Sequence, residues 1–259
     1  MTASSALSGK HAVVTGASRG IGAAIAEALA DEGMCLSLWA RDAAALADTV
    51  TACGAERAQA WAVDVTDPSQ VDAAIASARA RFGAVQVLVN NAGQAASAKF
   101  TDTGPELWHR IIGVNLTGTY LCTRAAVPDM LQQGFGRIVN IASIAGLRGG
   151  AYLSAYVSSK HAVVGFTRAL ALEYAARNIT VNAVCPGYVD TDIVKNAVAN
   201  ISRKTGRSSA EALATLVATN PQGRLVSTAE VAHAVVWLCR PGSESVNGQS
   251  LVLAGGEVT

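Results

Sequence analysis

With 259 residues, half of them hydrophobic and 15% charged, the chain suits one α/β domain whose sheet is buried on both faces, and two small domains fit it less well. A net charge of +1 with acids and bases interspersed excludes the basic stripe of a nucleic-acid binder and the acidic tail of a disordered segment. Five scattered cysteines without a CxxC pair point to a reduced, cytoplasmic protein; Met1–Lys10 is short and polar with no secretory signal, and no apolar run is as long as a membrane span.

Short apolar runs alternate with helical patterns along the chain. His11–Thr15 reads as a strand and Ile21–Asp31 as the helix after it. Between them lies Thr15-Gly16-Ala17-Ser18-Arg19-Gly20-Ile21-Gly22. Its three glycines let the backbone turn tightly and approach a pyrophosphate resting on the helix N-terminus. The spacing is GxxxGxG rather than GxGxxG, so the position after the first strand decides the reading.

Met34–Trp39 is the second strand, followed by an Ala-rich helix from about Asp42. An acid at the end of this strand would hydrogen-bond the adenosine ribose of NAD. Arg41 stands there instead, where it could pair with a 2′-phosphate, joined by Arg19. That favours NADP(H), while Asp42 could swing into place and leaves NAD(H) open. Ala58–Val63 is the third strand. Asp64 and Val65, just after it, lie where an adenine edge would be read, or else form a helix cap. Asp67 and Pro68 open a helix as N-cap and N1.

Val85–Val89 is the fourth strand, ending in Asn90-Asn91-Ala92-Gly93. Amides and small residues there could line the cofactor ribose. A single long helix is expected from about Pro105 to Gln132, with Asn115 on it as a structural hydrogen-bonder. Strand Arg137–Ala142 leads to Ser143. Helix Ser154–Arg177 carries Tyr156 and Lys160 one turn apart, so phenol and ammonium share a face. An ammonium beside a phenol lowers the phenol's pKa, and such a tyrosine can trade a proton with a carbonyl or alcohol oxygen. Ser143 could hydrogen-bond the same oxygen. His161 points off that face, and His11, His109 and His233 show no metal-ligand spacing.

Ile179–Val184 is a strand followed by Pro186-Gly187, which could shape the nicotinamide end of the cleft. Thr191–Gly223 shows no clear strand and one short helix, opened by a capping box of Ser208 with Glu211. Its place after a strand end suits a substrate lid, about 191–223, and a plain surface excursion is the other reading. Ser227 with Glu230 caps the next helix, and Ser250–Leu253 is the last strand. The alternation of strands and helices implies a parallel sheet.

Taken in order, TGASRGIG (15–22), NNAG (90–93), Asn115, Ser143, YVSSK (156–160) and Pro186-Gly187 resemble the short-chain dehydrogenase/reductase family over nearly the whole chain. The resemblance implies a Rossmann-like, doubly wound parallel sheet of about seven strands with helices on both faces, in one domain over 1–259. It implies that Tyr156 is the general acid in reduction and the base in oxidation. Lys160 would lower its pKa and hold the nicotinamide ribose, Ser143 would orient the substrate oxygen, and Asn115 would hold a water in a relay through Lys160. It extends cofactor contact to Gly16, Ser18, Arg19, Gly20, Ile21, Gly22, Arg41, Asp64, Val65, Asn91, Gly93, Pro186, Gly187, Val189 and Thr191.

Closest in character are 3-oxoacyl thioester reductases, 3-hydroxyacyl-CoA dehydrogenases and aromatic polyketide ketoreductases. The expected activity is NADP(H)-dependent interconversion of a ketone and a secondary alcohol, with a 3-oxoacyl thioester ketoreductase as the favoured form and Arg203, Lys204 and Arg207 near the phosphates of CoA or an acyl carrier. The alternatives are an NAD-dependent alcohol or 3-hydroxyacyl dehydrogenase, and a non-catalytic nucleotide sensor. Gln94, polar where relatives are aliphatic, could contact substrate. Ala254-Gly255-Gly256 departs from a usual Asp-Gly-Gly, which puts the usual C-terminal subunit contact in question but not the chemistry; the resemblance implies a homotetramer built on the long helices that bear Asn115 and Tyr156.

Overall fold

Strands that are apolar on both faces must be covered on both, and the chain achieves this with one sheet and two helical layers. The computed structural model describes residues 5–258; Met1–Ser4 of the short polar stretch Met1–Lys10 lie outside them. The strands are β1 (His11–Thr15), β2 (Cys35–Ala40), β3 (Ala58–Ala62), β4 (Val85–Asn90), β5 (Gly136–Ile141), β6 (Ile179–Pro186) and β7 (Ser250–Leu253). They form one seven-stranded sheet, every pairing parallel, in the order β3-β2-β1-β4-β5-β6-β7. The direction of winding reverses between β1 and β4. Ligands of open α/β sheets bind at such a switch point, outside the carboxyl ends of the strands.

The helices are α1 (Gly20–Asp31), α2 (Ala47–Cys53), α3 (Pro68–Phe82), α4 (Pro105–Ile112), α5 (Gly118–Gln133), α6 (Ser154–Tyr174), α7 (Asp192–Thr205), α8 (Ser209–Val217) and α9 (Thr228–Cys239). On one face α1 and α9 pack together over Val14, Leu36 and Val89. On the other, α3 and α5 cover Val13, Leu88 and Ile138. His11, at the start of β1, is buried between Gly83 O and Ser37 Oγ, each 2.8 Å from a ring nitrogen. No helix among the described residues is long and apolar enough to cross a membrane.

Caps follow the sequence closely. Asp67 accepts from Ser69 N and Gln70 N ahead of Pro68, and both expected capping boxes form. Three expectations need correction. The single long helix is two, joined by a π turn over Gly113–Thr117; this turn carries Asn115, whose tertiary bonds hold it out of α-register. The Ala-rich helix begins only at Ala47, because Asp42 Oδ1 accepts from Ala44 N and a 3₁₀ turn over Ala44–Leu46 intervenes. The segment 191–223 holds two helices, not one: α7 was unexpected, and Gly206 in the left-handed region (φ 72°) ends it.

Candidate active site

The glycine loop sits at the mouth of the switch point because only glycine fits two of its positions. Gly16 has φ +65°, and a Cβ there would lie 2.9 Å from Ala92 Cα. At Gly22 a Cβ would lie 2.2 Å from Gly16 O and 2.5 Å from Asn91 Nδ2. The loop therefore folds back on the start of α1, where unpaired N–H groups and the helix dipole favour an anion. Ser18 is half-buried and Arg19 exposed. Ile21 packs on the core beneath. A tight glycine turn packed on the strand end at a helix N-terminus fits a dinucleotide's pyrophosphate.

Asn91 holds this loop. Its Nδ2 donates to Thr15 O and Gly16 O, both at 3.0 Å, while Thr15 Oγ1 accepts from Asn91 N and Ala92 N, also at 3.0 Å. The expected ribose-lining amide is thus spent on the loop itself. Gly93 comes next, and a Cβ there would stand 3.3 Å from Asn115 Oδ1 and 3.6 Å from Lys160 Nζ. Strand end, π turn and α6 converge on this point. Asn115 is buried. Its Oδ1 accepts from Gln94 N (2.8 Å), and its Nδ2 donates to Gln94 O (3.0 Å) and Ser159 Oγ (2.9 Å). Its side chain acts as the structural hydrogen-bonder that its residue type alone suggests, and it clasps the backbone of Gln94, a residue half-buried at the rim.

Ser143 follows β5, with its Oγ accepting from Ala145 N at 3.1 Å and donating to Pro186 O only at 3.5 Å. That long donor contact leaves the hydroxyl free to turn toward a ligand oxygen. Burial pushes the Tyr156 phenol above its ordinary range, and a hydrogen bond with Ser143 pulls less strongly the other way. Lys160 lies 5.8 Å from the Tyr156 ring centroid and donates to Ile141 O at 2.7 Å. Burial lowers its own pKa to about 8. The spacing argument expected Lys160 to lower the phenol; here desolvation decides the direction, and Ser143 supplies the opposing pull.

At the other end of the cleft Arg41 is exposed just past β2, and Asp42 is turned away onto Ala44 N. Asp64 is turned inward onto Thr66, with Thr66 N at 2.9 Å and Oγ1 at 2.7 Å from its Oδ1. Val65 is buried against Gly118. The helix cap is therefore Asp67, not Asp64. Pro186 closes β6, and Gly187 packs against Ala254 and Glu257. Val189 is buried and bridges to Val226. Thr191 leans over the loop, its Cγ2 being 3.2 Å from where a Gly20 Cβ would sit, and Arg19 pairs with Asp192 at 3.4 Å.

Several residues of the site carried no sequence signal. Thr15 and Ser159 are plain strand and helix positions until their partners are seen. Arg148 and Glu257, far apart in sequence, form an ion pair, and the Glu257 side chain is buried with one carboxylate oxygen that has no partner among the described residues. Together they flank Tyr188, which burial and the Glu257 charge push up. Among the described residues no group of three or more His, Cys, Asp or Glu could hold a metal ion.

Comparison with known proteins agrees with this architecture. A model of the family described as short chain dehydrogenase matches residues 10–202. A crystal structure of a variant of actinorhodin polyketide ketoreductase with NADPH superposes with a TM-score of 0.92 at 40% identity, covering 96% of this chain and 97% of that one. A D-beta-hydroxybutyrate dehydrogenase of Cupriavidus necator is 38% identical over 97% of this chain and 99% of its own. A 3-oxoacyl-[acyl-carrier-protein] reductase of Vibrio harveyi is 36% identical over 96% and 98%.

Proposed function

The chain belongs to the short-chain dehydrogenase family, whose members interconvert CH–OH and carbonyl groups with NAD(P)(H), and on that premise we propose that it reduces the keto group of a 3-oxoacyl thioester with NADPH. The observation that carries this reading is the convergence of Ser143, Tyr156 and Lys160 beside a glycine loop shaped for a pyrophosphate. A bound nicotinamide supplies the hydride. Tyr156, kept protonated by its burial, gives its proton to the substrate's carbonyl oxygen, and the loosely held Ser143 hydroxyl donates to the same oxygen. Lys160 spends one N–H on Ile141 O and has two left, one for the nicotinamide ribose and one to return a proton toward Tyr156. Asn115 positions Gln94 and, through Ser159, the helix that carries the pair; Gln94 offers its amide to substrate.

The region 191–223 is the lid of one oxidoreductase domain. Asn200 of α7 reaches Ser97 at 3.3 Å, joining it to the loop beyond Gln94. Arg203, Lys204 and Arg207 are exposed and suit the phosphates of CoA or an acyl carrier. Exposed Tyr120 on α5 and Leu172 on α6 suit packing into a homotetramer, and the five free thiols suit the cytoplasm. The hydroxybutyrate dehydrogenase relative supports a second reading, oxidation of a 3-hydroxy acid with NAD.

Arg41 separates the two. Exposed just past β2, its guanidinium suits a 2′-phosphate, a charge-assisted contact worth about 1.5–3 kcal/mol. Arg41→Asp should weaken NADPH binding roughly 10–100-fold and improve NADH, measured as kcat/KM for each cofactor with one 3-oxoacyl thioester. A wild-type preference for NADH, or no change on substitution, contradicts the NADPH assignment.

A further inference from the structure

Asn90 at the end of β4 and Asn140 on β5 are register partners, side by side in the sheet. Alternation along the strands puts them on the same face as Leu88 and Ile138, which belong to the apolar layer under α3 and α5. Both are buried, Asn140 completely. An amide in such a layer costs free energy unless it is hydrogen-bonded, a cost an apolar residue would avoid.

The two amides belong to one buried network. Asn90 Nδ2 donates to Asn140 Oδ1 at 2.8 Å and to Thr123 Oγ1 at 3.0 Å, and Asn140 Nδ2 donates to Thr167 Oγ1 at 2.8 Å. Each threonine spends its one hydroxyl proton inside its own helix, Thr123 on Thr119 O at 2.7 Å and Thr167 on Val163 O at 2.8 Å. Only lone pairs then face the sheet, and only the amide nitrogens can meet them. Turning either amide over would set oxygen against oxygen. The network therefore has a single arrangement, and it ties α5, β4, β5 and α6 together. On the α5 side it continues through Thr119 Oγ1 to Asn115 O at 2.9 Å, in the π turn.

On the α6 side it supplies a second rung to β5. Lys160 Nζ donates to Ile141 O. Thr167, two turns further along the same face of α6, meets Asn140, the residue just before Ile141. Apolar contact is non-directional and leaves a helix able to slide or turn on its sheet. Two directional bonds two turns apart do not. Of the two rungs, only the one at Thr167 is independent of the reacting pair.

We propose that Asn140 and Thr167 are positioning residues for the reduction, fixing α6 on β5 so that Tyr156 and Lys160 stand at the reacting carbonyl with Ser143. The inference rests on the reductase reading above and concerns that same site.

The test uses the full chain with Thr167→Val, Thr167→Ser and Asn140→Leu, an acetoacetyl thioester and NADPH. Valine keeps the shape of threonine and removes the acceptor; serine keeps the acceptor. Thr167→Val should lower kcat about tenfold, a share of what misplacement costs in a positioned site. KM for the thioester and the NADPH dissociation constant should each stay within about twofold. Thr167→Ser should recover most of kcat. Asn140→Leu combined with Thr167→Val should be no slower than the slower single variant, since both cut one bond. Thr167→Cys, close in size and a weak acceptor, replaces valine if that variant does not fold, with the same expectation. A lower melting temperature with kcat unchanged would make the network a packing feature and overturn the proposal. Equal losses in the valine and serine variants overturn it too, as does NADPH affinity falling in step with kcat. A wild-type chain that leaves the thioester unreduced contradicts the reductase reading itself and takes this inference with it, whereas the other outcomes leave that reading standing.

Discussion

Tyr156→Phe should lower ketone turnover by roughly 10²–10⁴-fold, the usual share of a general acid, while NADPH still binds. The change removes one oxygen from a half-buried ring. Neither the glycine loop nor the Asn115 clasp touches that oxygen, so the fold and the dinucleotide cradle stay as they are. Loss therefore falls on kcat. NADPH affinity, read by fluorescence titration, should change less than about twofold. A variant that retains wild-type kcat would remove Tyr156 from proton transfer.

The pH profile of the same reaction identifies the second member of the pair. Burial holds the Tyr156 phenol above its ordinary value, so its proton is retained through neutral and mildly alkaline pH. Lys160 is displaced the other way, to about 8. Below that pH the ammonium is charged, and as pH rises through it the charge is lost. The kcat/KM for reduction should thus be flat near neutrality and fall as pH rises through about 8. A limb that appears only in the tyrosine range would assign the titration to the phenol alone.

Gly22→Ala should have the largest effect on cofactor binding. Its Cβ would meet the backbone oxygen of Gly16 at 2.2 Å, and backbone cannot swing aside as a flexible side chain can. The Asn91 amide, 2.5 Å away, is tied to Thr15 and Gly16 and cannot give either. The loop must move by about an ångström, and misplacement of that size costs on the order of 10²-fold in a positioned site. Overpacking should also lower stability by about 1–3 kcal/mol. Gly104→Ala is the control, since nothing lies within 4 Å of its would-be Cβ. Titration calorimetry with NADPH should separate the two variants clearly. Equal affinities would mean that the loop is a plain turn.

Features set by near neighbours in the chain were legible in the sequence. Strand β1, the Asp67 cap and both capping boxes depend on alternation or on contacts within a single turn, and they form where expected. The Tyr156–Lys160 spacing is of the same kind. The π turn is not, because Asn115 is held by Gln94 and Ser159 from other elements. The direction of the Tyr156 shift depends on burial, which spacing does not encode. The Arg148–Glu257 pair joins the loop after β5 to the end of the chain, and neither residue stands in a motif. Helix α7 could have been found: Val194, Val198 and Ile201 recur at helical spacing and Gly206 supplies a stop. Its polar residues hid that pattern.

The most direct measurement is the stoichiometry of NADPH oxidation when the purified protein meets a panel of 3-oxoacyl thioesters, cyclic ketones and aromatic ketones, with NADH in parallel. One alcohol formed per NADPH consumed, fastest with a 3-oxoacyl thioester and slower with NADH, is the predicted result. Tight NADPH binding with no ketone reduced anywhere in the panel would contradict it and leave a nucleotide-sensing protein that keeps the fold without the reaction.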